Sequence, residues 1–206
     1  MNSSNRGNIA KPSNKKRRCF HFFGILAAIM VALLLPERTF VIALYAATFS
    51  FILLEILRFS FPRLNQWLTC HLHVLLRDDE VRHPVTSTYI LVASLVVVLL
   101  FGRDIAMESL LFLAVGDPAA AAVGQRWGRL RLRNKSLEGS LAFFLFSCAI
   151  GTILGSTILS LSLSVIVTGA ILATLVELLS FRFDDNLTIP LASSGGMYTV
   201  KLMLTG

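Results

Sequence analysis

The chain has 206 residues, of which 55% are hydrophobic and only 15% are charged, and its mean hydropathy is +0.72. This composition excludes a single soluble domain and predicts a helical protein that crosses a membrane several times. The formal net charge of +7 does not indicate a nucleic-acid partner, because the basic residues form short clusters between apolar runs instead of one continuous face.

Residues 1–18 form a basic tail, and residues 19–206 form what we predict to be a single multi-pass membrane domain. The tail resembles the start of a signal peptide, but no small-residue cleavage site follows it, so we expect a retained anchor. Seven apolar runs approach the ~20 residues that a membrane helix needs. We therefore predict an all-α bundle of about seven transmembrane helices, at 19–35, 40–58, 86–102, 105–123, 137–155, 160–180 and 187–204.

The positions of Lys and Arg orient these segments. With a cytoplasmic N-terminus, the loops at 59–85, 124–136 and 181–186 share the side of the tail and contain most of the basic residues. Between the spans, only Arg38 and Arg103 fall on the opposite side, as the positive-inside rule predicts. We expect an integral protein of the cytoplasmic membrane in a prokaryote, or of the endoplasmic reticulum or a plastid in a eukaryote.

The loop at 59–85 contains an apolar and basic stretch, 63–77, that predicts a helix lying in the membrane interface. Just before it, Glu55 and Arg58 are three residues apart, which is typical of an ion pair within one helix. The three cysteines show no C-x-x-C spacing, so we predict neither a disulfide nor a zinc site.

Asp117 lies near the end of the fourth apolar run, where an ionised carboxylate is costly to insert, by roughly 2.5–3.5 kcal/mol at the bilayer centre. A magnesium ion would offset that cost, since Mg²⁺ is usually held by one or two carboxylates together with substrate phosphates. The alternative is an aspartate that caps a helix in water, with Pro118 at the first helical position.

Gly124 and Gly128 are spaced to share one helix face. The favoured interpretation is close packing between helices, which also applies to Gly151 and Gly155 within or between chains. The alternative is that missing side chains let a triphosphate approach backbone N–H groups, with Arg129 and other basic residues of the loop supplying charge. Such a loop is also typical of any cytoplasmic segment beside anionic lipid.

Several acids fall at the same predicted membrane face as Asp117. Glu138 opens the fifth span and is either a site residue or an acid of the first helical turn. Asp184 and Asp185 open the last span, and we expect one of them to cap its helix. Glu177 lies deeper in the sixth span and is the least ordinary of these residues.

The chain contains neither G-x-x-x-x-G-K-[ST] nor G-x-G-x-x-G, which disfavours a P-loop kinase or a Rossmann enzyme. The pattern Asp117-Pro118-x-Ala120-x-x-x-Gly124-x-x-x-Gly128, followed by Lys135-Ser136-x-Glu138-Gly139, resembles the CTP-dependent dolichol, phytol and diacylglycerol kinases, and more distantly phosphatidate cytidylyltransferase. Arg17-Arg18-x-x-His21 is similar to an Arg-Lys-x-x-His element near their N-terminus, with Arg18 in place of the usual Lys. Glu177 and Asp184-Asp185-Asn186 resemble the acidic element near their C-terminus.

The resemblance implies a kinase that uses CTP and Mg²⁺ to phosphorylate a lipid alcohol at the cytoplasmic face. It implies Asp117 and Glu138 as metal ligands, with Glu138 either in that role or orienting Lys135. The implied catalytic residues are Asp117, Lys135, Glu138, Asp184 and Asp185, and the implied nucleotide-binding residues are Arg17, Arg18, His21, Gly124, Gly128, Arg129 and Lys135.

Two other functions stay open at this point. A cytidylyltransferase, in which a lipid phosphate attacks the α-phosphorus of CTP, is disfavoured by the shortness of the chain. A transporter or membrane scaffold is disfavoured because the acids and bases cluster at one face instead of the midplane, and because the halves show no inverted repeat. The sequence leaves the oligomeric state open and does not distinguish a polyprenol, phytol and diacylglycerol as the acceptor.

Overall fold

The computed structural model describes residues 14–72, 78–133, 135–179 and 184–205, and confirms the predicted all-α class for them. Strands β1 (Arg131–Leu132) and β2 (Lys135–Ser136) form a small antiparallel hairpin between two of the helices, and a 3₁₀ turn covers Asp78–Val81. The helices in these residues are α1 (Asn14–Leu34), α2 (Glu37–Ser60), α3 (Pro62–Leu72), α4 (Thr86–Phe101), α5 (Arg103–Trp127), α6 (Leu137–Thr157), α7 (Leu163–Leu179) and α8 (Asp185–Thr205).

Each of the seven predicted membrane segments coincides with a helix, from α1 and α2 through α4 to α8. By length and composition, α2, α5 and α6 are able to cross a membrane, whereas α4, α7 and the segment at 21–34 are apolar but shorter. Seven crossings and a cytoplasmic N-terminus therefore stay predictions.

Two predicted boundaries need correction or fall outside the described residues. Helix α1 begins at Asn14, inside the predicted basic tail, and residues 1–13 of that tail lie outside the described part of the chain. The predicted interfacial segment, 63–77, overlaps α3, which begins at Pro62 and ends at Leu72, and residues 73–77 are likewise outside the described ranges.

Helix α5 is the centre of the bundle, because it packs against α1, α4, α6, α7 and α8. Every residue from Ile105 to Ala114 is buried, as is typical of a helix surrounded by others. The C-terminal half of the same helix contains Asp117, so α5 connects the apolar core to the polar end of the bundle.

Glu108 is the polar exception inside this core. Its side chain is fully buried, and neither carboxyl oxygen has a hydrogen-bond partner among the residues that the structure describes. Helix α6 faces it with Gly151 and Gly155, and a Cβ atom at Gly155 would lie 2.9 Å from Glu108 Oε2. The two glycines therefore pack within the chain and leave the space that this carboxyl occupies.

Small residues also bring α5 and α6 together nearer the polar end. A Cβ atom at Gly116 would lie 2.6 Å from the ring of Phe143, and one at Gly139 would lie 2.8 Å from the carbonyl oxygen of Ala120. Without these side chains the two backbones approach closely, as is common between membrane helices.

The predicted ion pair at the end of α2 is confirmed. Arg58 Nη2 lies 2.7 Å from Glu55 Oε2 and donates a hydrogen bond to the carbonyl oxygen of His83 at 2.8 Å. The other carboxylate oxygen of Glu55 accepts the backbone N–H of Val85 at 2.8 Å. The pair therefore ties α2 to the segment that leads into α4.

Replacement of Gly116 by Ala should lower the free energy of unfolding by about 1–3 kcal/mol, because the added methyl group overlaps the buried ring of Phe143. Gly195→Ala is the matched control, since its Cβ position lies 4.0 Å from the nearest neighbouring atom, and it should leave stability unchanged or raise it by up to ~1 kcal/mol. Unfolding in mixed detergent and denaturant measures both, and equal stabilities would contradict the close approach of α5 and α6.

Candidate active site

A polar cavity of about 320 Å³ lies where α5, the β-hairpin, α6 and α7 meet. The hairpin reverses the chain, so that β2 leads directly into α6. Ser136 caps α6, because its Oγ atom accepts the backbone N–H of Gly139 at 3.1 Å. The cavity is lined by Asp117, Ala120, Ala121, Gly124, Gln125, Arg131, Lys135, Ser136, Gly139 and Glu177.

Lys135 is the centre of a charged network in this cavity. Its Nζ atom lies 2.8 Å from Glu177 Oε1 and 3.0 Å from Asp185 Oδ2, so it joins β2 to α7 and α8. The other carboxylate oxygen of Glu177 accepts a hydrogen bond from Ser140 Oγ at 2.7 Å. Glu177 is only 2% exposed, and a carboxylate at that depth needs both partners to offset its lost hydration.

The network shifts the protonation of its members. Burial alone lowers the pKa of Lys135, but the carboxylates of Asp185 and Glu177 outweigh burial and raise this pKa above its ordinary value. Burial raises the pKa of Asp185, Lys135 opposes that effect, and the carboxylates of Asp117 and Glu177 add to it, so the net shift is upward. Lys135 therefore stays charged, while Asp185 accepts a proton more readily than an exposed aspartate does.

Asp117 lies in the interior of α5, which continues through Pro118 to Trp127. The alternative interpretation of Asp117 as a helix cap is therefore wrong. Its half-buried side chain lines the cavity and lies near enough to Asp185 to affect its protonation. Within the described ranges the Asp117 carboxylate makes no hydrogen bond and no ion pair, so it is available to a ligand.

Glu138 holds the loop that follows α5. Its Oε1 atom accepts the backbone N–H groups of Arg129 at 3.0 Å and Leu130 at 3.1 Å. One interpretation of the sequence expected Glu138 to orient Lys135. Instead, Glu177 and Asp185 hold the Lys135 side chain. The role of Glu138 as a metal ligand stays a prediction.

The glycine pair of the motif packs against the start of α6. A Cβ atom at Gly124 would lie 2.7 Å from Ser136 Oγ, and one at Gly128 would lie 2.8 Å from the same atom. This supports the packing interpretation for both residues. Gly124 also lines the cavity, whereas Gly128 is the C-cap residue that follows α5.

The two neighbouring aspartates have different positions. Asp184 Oδ1 accepts the backbone N–H of Asn186 at 2.9 Å, and its carbonyl oxygen accepts that of Thr188 at 3.1 Å. The expectation that one of the pair caps α8 is confirmed for Asp184. Asp185, one residue later, pairs with Lys135 at the cavity.

The structure does not place the Arg17-Arg18-x-x-His21 element at this cavity, as far as its side chains are described. Arg17 and Arg18 lie in α1, but their side chains are outside what the structure describes. His21 lines a second cavity between α1, α2, α4 and α5. A nucleotide-binding role for these three residues stays a prediction.

The sequence is similar to those of several known lipid kinases. The chain is 31% identical over 177 residues to the CTP-dependent diacylglycerol kinase 1 of Eremothecium gossypii, a match that covers 72% of this chain and 55% of the relative. It is 32% identical over 133 residues to a probable chloroplastic phytol kinase of Triticum aestivum, covering 57% and 43%. It is 29% identical over 144 residues to the dolichol kinase of Saccharomyces cerevisiae, covering 65% and 26%.

This chain is related to the CTP-dependent lipid kinases. The resemblance found in its motifs is confirmed, and the chain spans about half or less of the length of these three relatives. No protein-family model and no solved structure matches it.

Three polar residues at or beside the cavity were not among the predicted site residues. Glu177 and Arg131 line the cavity, and Ser140 donates a hydrogen bond to Glu177. Glu177 could have been predicted from the sequence, since an acidic residue inside an apolar run is functional by default. Nothing in the sequence singled out Ser140, because a serine in a membrane helix commonly forms a hydrogen bond with its own helix backbone. Arg131 was one of several arginines in a loop, and only the hairpin register separates it from Arg129.

Replacement of Lys135 by Met should lower the free energy of unfolding by about 3 kcal/mol, because it leaves the buried Glu177 carboxylate without its cation. Adding Glu177→Gln should recover part of the loss, because the amide carries no charge that needs a cation. Mildly acidic pH should also reduce the loss, since Asp185, whose pKa is raised by burial, then takes up a proton more readily than an exposed aspartate does. A double-mutant cycle at two pH values measures this, with the exposed Lys201→Met as control. Strictly additive losses would contradict the network.

Replacement of Glu138 by Ala should expose the loop after α5 to trypsin, because two backbone N–H groups lose their acceptor. Glu138→Gln retains an acceptor oxygen, and its cleavage rate after Arg129, Arg131 and Arg133 should stay closer to that of the parent protein. Timed proteolysis with mass spectrometry measures the rates. If both variants resist cleavage as well as the parent protein does, Glu138 does not hold this loop.

Proposed function

We propose that this chain transfers the γ-phosphoryl group of CTP to the hydroxyl group of a membrane lipid alcohol and releases CDP. The main support is the Asp117 carboxylate, which is available to a ligand in a polar cavity beside Lys135, at one end of an apolar helical bundle. The names of the relatives support the proposal, because diacylglycerol, phytol and dolichol are all lipids with a free hydroxyl group and one name specifies CTP.

The charge of the cavity supports a divalent cation. Asp117, Glu177 and Asp185 contribute three carboxylates in or beside it, against the cations Lys135 and Arg131, so a bare triphosphate would be repelled. Among the described residues, no three His, Cys, Asp or Glu side chains are grouped to hold a metal by themselves. This fits Mg²⁺, which commonly shares one or two carboxylates with substrate phosphates.

We assign Asp117 as the Mg²⁺ ligand, with Glu138 as the second candidate from the motif. Bound there, Mg²⁺ would neutralise part of the negative charge on the phosphate oxygens. Lys135 and Arg131 contact the same phosphates from the hairpin side of the cavity. Gly124 allows the nucleotide to approach α5, and Arg129, Gly128, Arg17, Arg18 and His21 stay candidate nucleotide contacts from the motif.

Asp185 is our candidate for the proton acceptor, in preference to Asp184, which caps α8. The lipid hydroxyl oxygen forms a bond to the γ-phosphorus, and the bond from that phosphorus to the bridging oxygen breaks, with its electron pair leaving on CDP. The hydroxyl proton passes to Asp185. The upward shift of the Asp185 pKa suits this step, because a proton acceptor works best when its pKa approaches the ambient pH.

The positive-inside distribution supports a cytoplasmic N-terminus and an active site that faces the cytoplasm. In that orientation CTP reaches the polar cavity from water. The lipid alcohol reaches the same end of the bundle through the membrane.

Purified protein in detergent should transfer label from [γ-³²P]CTP to a lipid alcohol when Mg²⁺ is present. The acceptor panel contains phytol, a polyprenol, diacylglycerol and, as the competing acceptor, phosphatidate. Label that reaches lipid only from [α-³²P]CTP would replace the proposal with a cytidylyltransferase, and transfer from neither position would indicate a protein without this chemistry.

Asp117→Asn should lower kcat by about 100-fold or more, because the amide keeps the shape of the side chain but loses the charge that holds the cation. The matched control is Asp104→Asn, which removes an exposed carboxylate at the opposite end of the same helix and should leave kcat unchanged. Thermal unfolding checks that both variants are folded. Substantial activity in folded Asp117→Asn would remove Asp117 from the metal role.

A further inference from the structure

A second cavity, of about 240 Å³, lies between α1, α2, α4 and α5, and its lining is almost entirely apolar. Along α1 it extends from His21 to Ala32, about 16 Å at ~1.5 Å per residue. That length is roughly half of the ~30 Å hydrocarbon core of a bilayer. The cavity is therefore an apolar groove about as long as the hydrocarbon layer of one leaflet.

The polar residues at one end of this groove are His21 and Ser87. A third polar residue, Ser94, lies further along and donates its hydroxyl to the carbonyl oxygen of Ile90 at 2.7 Å. Gly102 alone links α4 to α5, so the start of α4 lies at the end of the bundle that contains Asp117. Arg103 binds the carbonyl oxygen of Leu35 at 3.2 Å, which places the start of α1 at that same end.

One face of α5 forms a wall of both cavities. Ala106 and Leu110 line the apolar groove, and Asp117 and Gly124 line the polar cavity. Steps of seven residues, as from Leu110 to Asp117 and on to Gly124, rotate by only about 20° around a helix. The two cavities therefore follow one stripe, with Leu110 and Asp117 about 10 Å apart along the axis.

We propose that the groove between α1, α2, α4 and α5 binds the hydrocarbon tail of the lipid alcohol, with the hydroxyl group at the His21 and Ser87 end. The inference rests on the proposed kinase function and names where its acceptor binds. The tail lies beside α1 and α2, and the hydroxyl lies at the boundary with the polar cavity.

Other occupants fit this groove less well. An apolar cavity gives water too few hydrogen-bond partners to hold it. The N-terminal residues 1–13 are mostly polar, with three Asn, three Ser, one Lys and one Arg, so this segment does not match an apolar lining. A hydrocarbon chain does match, and the groove is open beside Gly24 and Ala28, which are exposed.

Gly24 provides the test, because a Cβ atom at this position would meet no other atom within 4 Å. Gly24→Leu should therefore fold and fill the groove. Its KM for the lipid alcohol should rise by about tenfold or more, equivalent to ~1.4 kcal/mol of lost binding, while its KM for CTP stays unchanged. Gly195→Leu is the matched control, a glycine with similar space outside this groove, and should change neither KM.

Ala28→Leu is a second variant that keeps the test informative if Gly24→Leu does not fold. It lies one turn deeper, so it should raise the KM for a long-chain acceptor more than the KM for a short-chain form of the same alcohol. Unchanged KM values for the lipid in folded Gly24→Leu and Ala28→Leu would overturn the inference.

Photo-cross-linking gives a readout that needs no turnover. A phytol analogue with a diazirine at the end of its chain should label peptides of the helices that line the groove, α1, α2, α4 or the N-terminal half of α5, and excess phytol should suppress the labelling. Gly24→Leu should reduce the labelling, whereas Gly195→Leu should not. Labelling confined to other helices would overturn the tail site, even if the protein transfers phosphate. Labelling of the groove by a protein that transfers no phosphate would overturn the kinase proposal and leave the tail site standing.

Discussion

The pairing of Lys135 with Glu177 and Asp185 is the interaction on which the polar end of this bundle depends. One ammonium group compensates two carboxylates from separate helices, and one of these carboxylates is almost completely removed from solvent. Without that cation, α7 and α8 would bring like charges together at low dielectric. The β-hairpin is short, but it places the cation where both helices need it.

The helices were largely predictable because membrane insertion demands long apolar runs, and such runs are visible without any partner. The segment predicted at 86–102 is α4, Thr86–Phe101, to within one residue. The end of α3 was less predictable, since an interfacial stretch has weaker periodicity and no length requirement. The start of α1 was missed for a related reason, because a basic sequence is compatible with both a helix and a tail.

Sequence motifs named some residues that line the polar cavity, among them Asp117, Gly124 and Lys135, but they did not predict the contacts between residues. Lys135 lies 42 and 50 residues from its two partners, and no local pattern encodes such a separation. Asp184 and Asp185 are chemically identical, and only the direction in which α8 begins gives one the cap and the other the ion pair. Asp117 shows the opposite case, since Pro118 suggested a helix start while the surrounding bundle keeps the helix continuous through it.

The shared stripe of α5 brings an apolar groove and a polar cavity to one helix. In the proposed reaction, two reactants of opposite solubility would meet there while each remained in its own phase, so only the reacting groups would have to leave their solvent. Catalysis in such an arrangement depends on how crowded the acceptor is within the plane of the bilayer, and adding inert lipid would slow it by surface dilution even at constant bulk concentration.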